Sequence, residues 1–444
     1  MCLVLGGLGT ATASAAVQPP SLFWRATVQV GSQPLGIAVN PSTNSVFVAN
    51  SQTGTVSVIS TLNNKLTTSI ITGSAPYSVA VDPVTNTIYV ANYFSNTVAV
   101  ISGKTGNVTQ EINVGADPDA ITVDPSTNTV YVASLLYDVV SVISGATNKV
   151  TATVQVGQEP DGITVNPTTH MVYTANMVAS SVTVISGATN AVAATIKVGA
   201  QPDGVAVDTA TNMVYVTDAD SNYTSVVSGA SNTVVGKINV GDNQTDAAVD
   251  VASNTVYITD AFNQVAVASG ANNTIERAIN VGYEPDSIVL NPATHSGYIS
   301  DLGGNDVSIL LPPNTSTTAA SCASQSAKVG SAVTCTATVS GASPTGMVNW
   351  TASSGGGFSP ASCALSSGKC SVSYTPSLAG NETLTAVYTS DANNTASLAA
   401  APLTVSGSSS SGSSLSVIVV AVLVVVAAGL ALVYAGMKRR PKSF

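Results

Sequence analysis

Short apolar runs alternate with polar turns along most of this chain, and residues 157–198 show the pattern clearly. The runs there occupy residues 162–165, 172–175, 181–185 and 192–198. They are rich in Val, Ile, Thr and Tyr and are separated by Asn-Pro, Ser-Gly, Thr-Asn and Val-Gly dipeptides. β-Branched and aromatic residues favour strands, and these dipeptides favour turns. The pattern therefore predicts four short β-strands in this segment.

This four-strand segment is one copy of a repeat. A glycine that follows a β-branched residue recurs with five steps of 42 residues and one of 41, at Gly31, Gly73, Gly115, Gly157, Gly199, Gly241 and Gly282. A second signature, typified by Tyr89-Val90-Ala91-Asn92, keeps the same spacing. Four strands in a unit of this length are typical of a propeller blade. The sequence therefore predicts an all-β fold with a seven-bladed β-propeller over residues 25–311.

The two ends of the repeat array predict how the propeller closes. The last copy lacks a fourth strand, because residues 307–310 run into Pro312-Pro313. Residues 25–30 match a fourth strand and precede the first glycine anchor. We expect this N-terminal strand to pair with residues 307–310 and complete the last blade, which removes an open sheet edge.

The Tyr-Val-x-Asn signature and its lead-in, x-Pro-x-Gly-Ile-Ala-Val-Asn/Asp-Pro, resemble the YVTN β-propeller repeat family over residues 25–311. The resemblance implies kinship with surface-layer and other cell-envelope proteins of archaea and bacteria. Related propellers also include lactonases and cofactor-bearing oxidoreductases. None of their site residues is carried over, because a fold does not determine a function.

A second domain is predicted over residues 315–405, where four cysteines occur. Outside the cell, Cys322, Cys335, Cys363 and Cys370 favour two disulfides. Of the three pairings, Cys322 with Cys335 and Cys363 with Cys370 is preferred, because each pair spans a short segment that can form a hairpin. The segments 335–339, 370–376 and 384–388 resemble bacterial Ig-like repeat domains. The resemblance implies a small β-sandwich that acts as a spacer.

The termini predict a location at the cell membrane. Residues 1–15 resemble the end of a signal peptide, and residues 406–414 form a Ser/Gly linker. Residues 415–436 begin with twenty uncharged, mostly apolar residues, enough for one transmembrane helix, and residues 437–444 form a basic tail. The positive-inside rule predicts a single-pass protein with its ectodomain outside and its C-terminus cytoplasmic. A buried core helix is the alternative interpretation of residues 415–436.

Charge and composition narrow the function classes. The chain has 13 basic and 23 acidic residues and a net charge of -10, which argues against nucleic acid as a partner. Its only histidines, His170 and His295, occupy a turn slot that holds Asn in the other five repeats. We therefore interpret them as turn residues. A Ser-His-Asp triad is not expected, and no Cys-x-x-Cys-His motif for covalent haem is present.

The candidate chemistry lies in acidic residues at one end of the strands. Strand one begins and strand two ends on the same face of a propeller, so four aspartates that follow the anchor proline should face the channel mouth: Asp119, Asp161, Asp203 and Asp286. Asp218, Asp260 and Asp301 should share that face. Oxygen ligands of this kind suit Ca²⁺ or another hard cation. The alternative is that the aspartates bond to backbone N–H groups in turns. Residues 218–222 resemble the opening of a calcium loop but lack its glycine and glutamate.

These observations predict a membrane-anchored extracellular binding or envelope protein without a catalytic site, whose partner is a protein, a glycan or a cation. The alternative is a lactonase-like, metal-dependent hydrolase in the channel. No resident cofactor is expected beyond a divalent cation. Eight Asn-x-Ser/Thr sequons are candidate glycosylation sites: Asn107, Asn222, Asn243, Asn272, Asn314, Asn349, Asn381 and Asn393.

Overall fold

The computed structural model describes residues 22–391 and 393–407, which fall into two compact units divided between Pro313 and Asn314. The predicted signal peptide (1–15), the linker beyond residue 407, the predicted membrane helix (415–436) and the basic tail (437–444) lie outside the described residues. Across the part that is described, no helix is long and apolar enough to span a bilayer.

The first unit consists of four-stranded antiparallel sheets in chain order. The strands of the first three sheets are β2–β5 (Pro34–Asn40, Ser45–Asn50, Thr55–Ser60, Lys65–Ile71), β6–β9 (Pro76–Asp82, Thr87–Asn92, Thr97–Ser102, Val108–Asn113) and β10–β13 (Pro118–Asp124, Thr129–Ser134, Val139–Ser144, Lys149–Gln155). Two short 3-10 turns, Tyr93–Ser95 and Leu135–Tyr137, follow β7 and β11.

The remaining sheets repeat the same order. They contain β14–β17 (Pro160–Asn166, Met171–Asn176, Ser181–Ser186, Ala191–Lys197), β18–β21 (Pro202–Asp208, Met213–Asp218, Thr224–Ser228, Thr233–Ile238) and β22–β25 (Gln244–Asp250, Thr255–Asp260, Gln264–Ser269, Thr274–Asn280). The seventh sheet combines β26–β28 (Pro285–Leu290, Gly297–Asp301, Asp306–Leu311) with β1 (Phe23–Gln29).

The chain termini of this unit meet in the seventh sheet. β1 pairs antiparallel with β28, with Val28 opposite Val307. This is the pairing expected from the sequence. A hydrophobic cluster at this junction joins Val28 to Ile37 of the first sheet and Ile309 of the seventh. The two ends of the array are therefore held together by hydrogen bonds and by a shared core.

The hydrophobic core lies between neighbouring sheets rather than within any one of them. In the second sheet, for example, Ile88 and Val90 pack with Phe47 and Val56 of the first. The fourth strands face solvent on one side, and five of the seven residues of β5 are exposed in succession. The first strands of successive sheets contact one another, and β26 contacts β2, so that the first strands surround a central cavity. This arrangement is consistent with a β-propeller.

The second unit contains two sheets packed around one core. Its strands are β29–β33 (Thr317–Cys322, Ser326–Lys328, Val333–Ser340, Met347–Ala352, Gly356–Ser359) and β34–β37 (Ser362–Ala364, Lys369–Pro376, Gly380–Tyr388, Ser397–Ser406). One sheet has the order β29-β31-β35-β33 and the other β30-β37-β36-β32-β34. Strict alternation in β31 buries Val333, Cys335, Ala337 and Val339 against Trp350.

Two disulfides cross-link this second unit. Cys322 bonds to Cys335, which lies directly opposite it on the neighbouring strand. Cys363 bonds to Cys370, seven residues later. Both pairings are the ones preferred from the sequence. Cross-links of this kind stabilise a small domain mainly by restricting its unfolded state.

Candidate functional site

A central cavity of about 720 Å³ is lined by the first strand of each of the seven sheets. Each sheet contributes the residue that follows its anchor proline; in the sixth sheet Gln244 replaces that proline. The seven residues are Leu35, Tyr77, Asp119, Asp161, Asp203, Thr245 and Asp286. The four aspartates predicted as cation ligands therefore line one cavity. A fifth carboxylate, that of Asp246, joins them. We call these five residues the acid arc.

The sequence analysis did not identify Asp246, because it lies one position after the slot that holds Asp in four other repeats. The repeat slot in the sixth sheet holds Thr245, and the carboxylate sits on the next residue. Its Oδ2 accepts hydrogen bonds from the Ser287 hydroxyl (2.7 Å) and the Ile288 N–H (3.1 Å) of the seventh sheet. Asp246 thus also ties two neighbouring sheets together. An Asp next to an occupied slot was the only sequence signal available.

The acid arc is electrostatically strained. Burial raises the pKa of all five aspartates, and for Asp286 the pKa reaches about 7, because burial is reinforced by the charges of Asp246 and Asp161. Burial and the neighbouring Asp161 raise the pKa of Asp119 well above its ordinary value. Among the described residues that line the cavity there is no Lys, Arg or His. No described residue of the lining therefore stabilises the ionised form of these carboxyl groups by an opposite charge.

The turn interpretation explains Asp246 but not the other four members. Asp246 accepts the N–H of Ala247 at 2.8 Å, as a loop-fixing aspartate would. Within the residues that the structure describes, Asp119, Asp161, Asp203 and Asp286 accept no backbone N–H hydrogen bond. Each has intermediate exposure because it faces the lumen while surrounded by the sheets. Their position is thus not accounted for by local turn geometry.

The arc does not form a compact ligand cluster. Across residues 22–391 and 393–407, no group of three or more His, Cys, Asp or Glu side chains is close enough to hold a metal ion. The predicted cation site at Asp119, Asp161, Asp203 and Asp286 stays a prediction. What the geometry provides is a wide lumen lined by five carboxyl groups.

The aspartates at the ends of the second strands do not line the cavity. Asp218 and Asp301 are fully buried, and the Ser225 hydroxyl donates to Asp218 Oδ2 at 2.6 Å. In the same slot of other repeats, the amide of Asn50 donates to the Thr55 carbonyl at 3.1 Å, and that of Asn176 to the Ser181 carbonyl at 3.1 Å. This slot therefore fixes the loop between the second and third strands.

Carboxylates are poorly suited to that loop-fixing slot. Burial raises the pKa of Asp218 to about 6. Burial together with the neighbouring Asp306 raises the pKa of Asp301 to about 8. In both cases burial is the main cause, because it disfavours the charged form of the carboxyl group. Of the calcium-loop segment 218–222, Asp220 is exposed, and the Ser221 hydroxyl accepts the Ala200 N–H.

The two histidines lie in turns at the opposite strand ends. His170 and His295 have φ values of 59° and 56°, and the five asparagines of the same slot lie between 50° and 56°. Nδ1 of His170 lies 2.7 Å from Asp124 Oδ2 of the preceding sheet, and Nδ1 of His295 lies 3.0 Å from Asp250 Oδ2. The turn interpretation is confirmed, and the histidines also link neighbouring sheets.

The sequons occupy accessible positions. Seven of the eight asparagines are exposed, and Asn393 is half-buried. Attachment of sugar at the seven exposed sites would not disturb the cores of either unit. Glycosylation itself remains a prediction.

Two family models match parts of the chain. Residues 13–128 match the YNCE-like β-propeller family, and residues 320–406 match the bacterial Ig-like domain (group 3). A β-propeller followed by an Ig-like domain, as predicted from the sequence, is confirmed by these matches. No curated protein matches the chain.

A solved structure shows the same fold. A chain of Kuenenia stuttgartiensis hydrazine synthase superposes with a TM-score of 0.56 at 17% identity. The alignment covers 68% of this chain and 98% of that one. At this identity the likeness concerns the fold alone.

Proposed function

We propose that this chain is a binding protein of the cell surface, in which a closed seven-bladed propeller takes up a cation or the cationic group of a larger ligand in its central cavity. The observation that carries the proposal is the acid arc: five carboxyl groups face one lumen of about 720 Å³, and no described residue that lines it is basic. A bound cation would restore the ionised state that burial disfavours. The face around the cavity would meet an extracellular protein or glycan.

A location outside the cell is supported by independent features. The Ig-like unit carries two disulfides, which persist in oxidising compartments. The exposed sequons and the low charged fraction of 8% agree with a surface role. Residues 415–436 would anchor the chain in the membrane, with the basic tail 437–444 in the cytoplasm.

The test is a titration of the full-length chain with Ca²⁺ and, separately, with a lysine-rich peptide, followed by calorimetry and by thermal melting with and without chelator. We expect at least one of these probes to bind stoichiometrically and to raise the melting temperature. The double variant Asp161→Asn with Asp203→Asn should lose that binding, since two members of the arc are neutralised. The matched control, Asp220→Asn, changes an exposed acid outside the cavity and should bind as the wild type does.

Two results would count against the proposal. Failure of both cationic probes to bind would remove the role of the acid arc. Metal-dependent turnover of a lactone, lost in the Asp161→Asn/Asp203→Asn variant, would instead establish the alternative, a hydrolase that uses the propeller channel. These outcomes are distinct, because the first is read from binding and the second from product formation.

A further inference from the structure

A second depression, of about 450 Å³, lies beside the central cavity at the loops of the first two sheets. Its walls include Gln33, Gln52, Thr53, Ser74, Tyr77 and Phe94. Every residue that lines it in the described part of the chain is uncharged. Its volume falls within the range of roughly 300–1,000 Å³ that is usual for small-molecule sites. We call it the rim groove.

Three aromatic rings form a continuous platform at the rim groove. Tyr77 stacks on Tyr93 with ring centroids 4.5 Å apart and planes inclined by 20°. Tyr93 meets Phe94 edge-on at 5.3 Å. Phe94 is nevertheless 68% exposed, so that its ring presents apolar surface to solvent. Phe94 thus has an edge contact with the stacked pair on one side and is open to solvent on the other, which suits it to contact with a ligand.

The platform departs from the repeat. In the slot of Tyr77, the other sheets carry Leu, Thr or Asp, and in the slot of Tyr93 they carry Ser, Leu, Met or Ala. Two aromatic residues that would pack no blade core have therefore been placed together in one repeat. Departures from a repeat consensus that bring no packing gain are expected at functional sites.

The walls of the rim groove are held rigid by local hydrogen bonds. The Ser51 N–H donates to the Gln33 carbonyl at 2.9 Å. The Tyr93 N–H donates to the Ala75 carbonyl at 2.8 Å, and the Ser74 N–H donates to the Ser95 hydroxyl at 2.8 Å. These bonds hold the backbone of the loops that carry Gln33 and Tyr93 in place, which reduces the entropy lost on binding.

From this geometry we infer that the rim groove binds a neutral saccharide, with one pyranose ring packed on Phe94 and its hydroxyls bonded to Gln33, Gln52 and Thr53. The partially positive C–H groups of a sugar face are attracted to the negative face of an aromatic ring. Amide and hydroxyl side chains satisfy sugar hydroxyls without charge. The adjacent acid arc disfavours saccharides that carry carboxylates or sulfates.

The inference is tested with the full-length chain by saturation-transfer NMR and calorimetry. The probes are cellotriose, maltotriose, mannotriose and chitotriose, with sialyllactose as the anionic comparison. We expect at least one neutral trisaccharide to bind, with saturation transferred to the C–H face of one ring. Phe94→Ala should weaken binding at least about tenfold, and Gln52→Ala should weaken it severalfold.

The chain supplies a matched control for this experiment. Phe262 occupies the same loop slot in the sixth repeat and is 65% exposed, but it does not line the rim groove. Phe262→Ala should leave saccharide binding unchanged. Because Phe94 lies outside the central cavity, Phe94→Ala should also leave cation binding unchanged. Both phenylalanines are exposed, so neither variant should alter the melting temperature by more than a degree or two.

Several results would overturn the inference. Binding of none of the four neutral trisaccharides at millimolar concentration would do so, as would equal losses in Phe94→Ala and Phe262→Ala. Preference for sialyllactose would contradict the charge argument. Self-association of the wild type that is lost in Phe94→Ala, without saccharide binding, would identify the aromatic platform as a protein contact instead.

Discussion

Replacement of Asp301 by Asn should stabilise the first unit at neutral and alkaline pH. The side chain is fully buried, and its carboxylate oxygens make no hydrogen bond of good geometry within the described residues, although Ser308 and Asp306 lie beside it. In the same slot of the first repeat, the Asn50 amide donates to the Thr55 carbonyl and to the Ser57 hydroxyl, at 3.1 and 3.0 Å. An ionised aspartate cannot donate, whereas Asn or a protonated Asp can.

The sign of the pH dependence follows from the raised pKa. Burial and Asp306 raise the pKa of Asp301 from 3.8 to about 8 in the folded state. A group whose folded pKa is raised contributes stability that is fully present below the unfolded pKa and is lost as the pH rises through the folded pKa. The wild type should therefore lose stability between about pH 4 and pH 8, and Asp301→Asn should remove that loss.

Two estimates bound the gain in the free energy of unfolding expected for Asp301→Asn. At about 1.4 kcal/mol per pKa unit, the full shift corresponds to roughly 5 kcal/mol at pH 8. Leaving a buried polar group unsatisfied costs about 1–3 kcal/mol in mutational data, where the site relaxes. We expect a gain of about 2–3 kcal/mol at pH 8 and almost none at pH 4. For a unit of this size, that gain corresponds to a rise in melting temperature of very roughly 4–10 °C.

The assay is differential scanning calorimetry of the full-length wild type and variant at pH 4, 6 and 8. The reverse substitution, Asn50→Asp, provides the matched control, because it places an acid in the same slot of the first repeat. It should cost a similar amount at pH 8 and little at pH 4. A parallel pH profile for wild type and Asp301→Asn, or an Asn50→Asp variant as stable as the wild type at pH 8, would refute the loop-fixing argument.

Three further predictions follow from the acid arc and the sheet contacts. Ca²⁺ or peptide affinity should fall as the pH drops from 8 to 5, since protons compete for carboxylates with raised pKa values, and Asp286→Asn should flatten this profile measured by calorimetry. Gly162→Ala should lower the free energy of unfolding by about 1–3 kcal/mol in urea titrations, because its Cβ would meet the carbonyl of Asp203; Gly357→Ala, whose Cβ would meet open space, is the control. His170→Asn should be nearly neutral in the same assay, whereas His170→Ala should cost about 1–2 kcal/mol because the residue has φ of 59°; equal stability of the two variants would contradict the turn argument.

Much of the fold could be predicted because every sequence repeat forms the same four-stranded sheet with the same packing. The glycine anchors fix where each sheet begins, and the strands predicted at 172–175 and 181–185 are observed at Met171–Asn176 and Ser181–Ser186. The pairing of β1 with β28 was predictable from the two ends of the array. The last repeat lacks a fourth strand, and one unassigned segment that matches a fourth strand precedes the first repeat. Here, sequence spacing translates directly into spatial register.

The rest depends on contacts that spacing does not encode. Asp246 enters the cavity from one position beyond its slot, where the repeat predicts a small residue. The pKa of Asp301 is raised by burial and further by Asp306, whose proximity depends on the turn between β27 and β28. Tyr77 and Tyr93 lie sixteen residues apart in the chain and meet because one begins the first strand and the other follows the second. Such meetings require the folded sheet.

These departures from the repeat produce two chemically different sites side by side: the acid arc in the central cavity and the uncharged rim groove. The third to seventh sheets place carboxylates in the cavity, whereas the first and second place Leu35 and Tyr77 there. The acid arc is thus open on the side of the rim groove, and Tyr77 lines both. A ligand with a cationic group near an uncharged sugar ring could span the two sites, and linking two weak contacts raises affinity through effective concentration. In that case Phe94→Ala and Asp161→Asn would each weaken binding of an amino-sugar oligosaccharide, whereas Phe94→Ala alone would affect its N-acetylated counterpart.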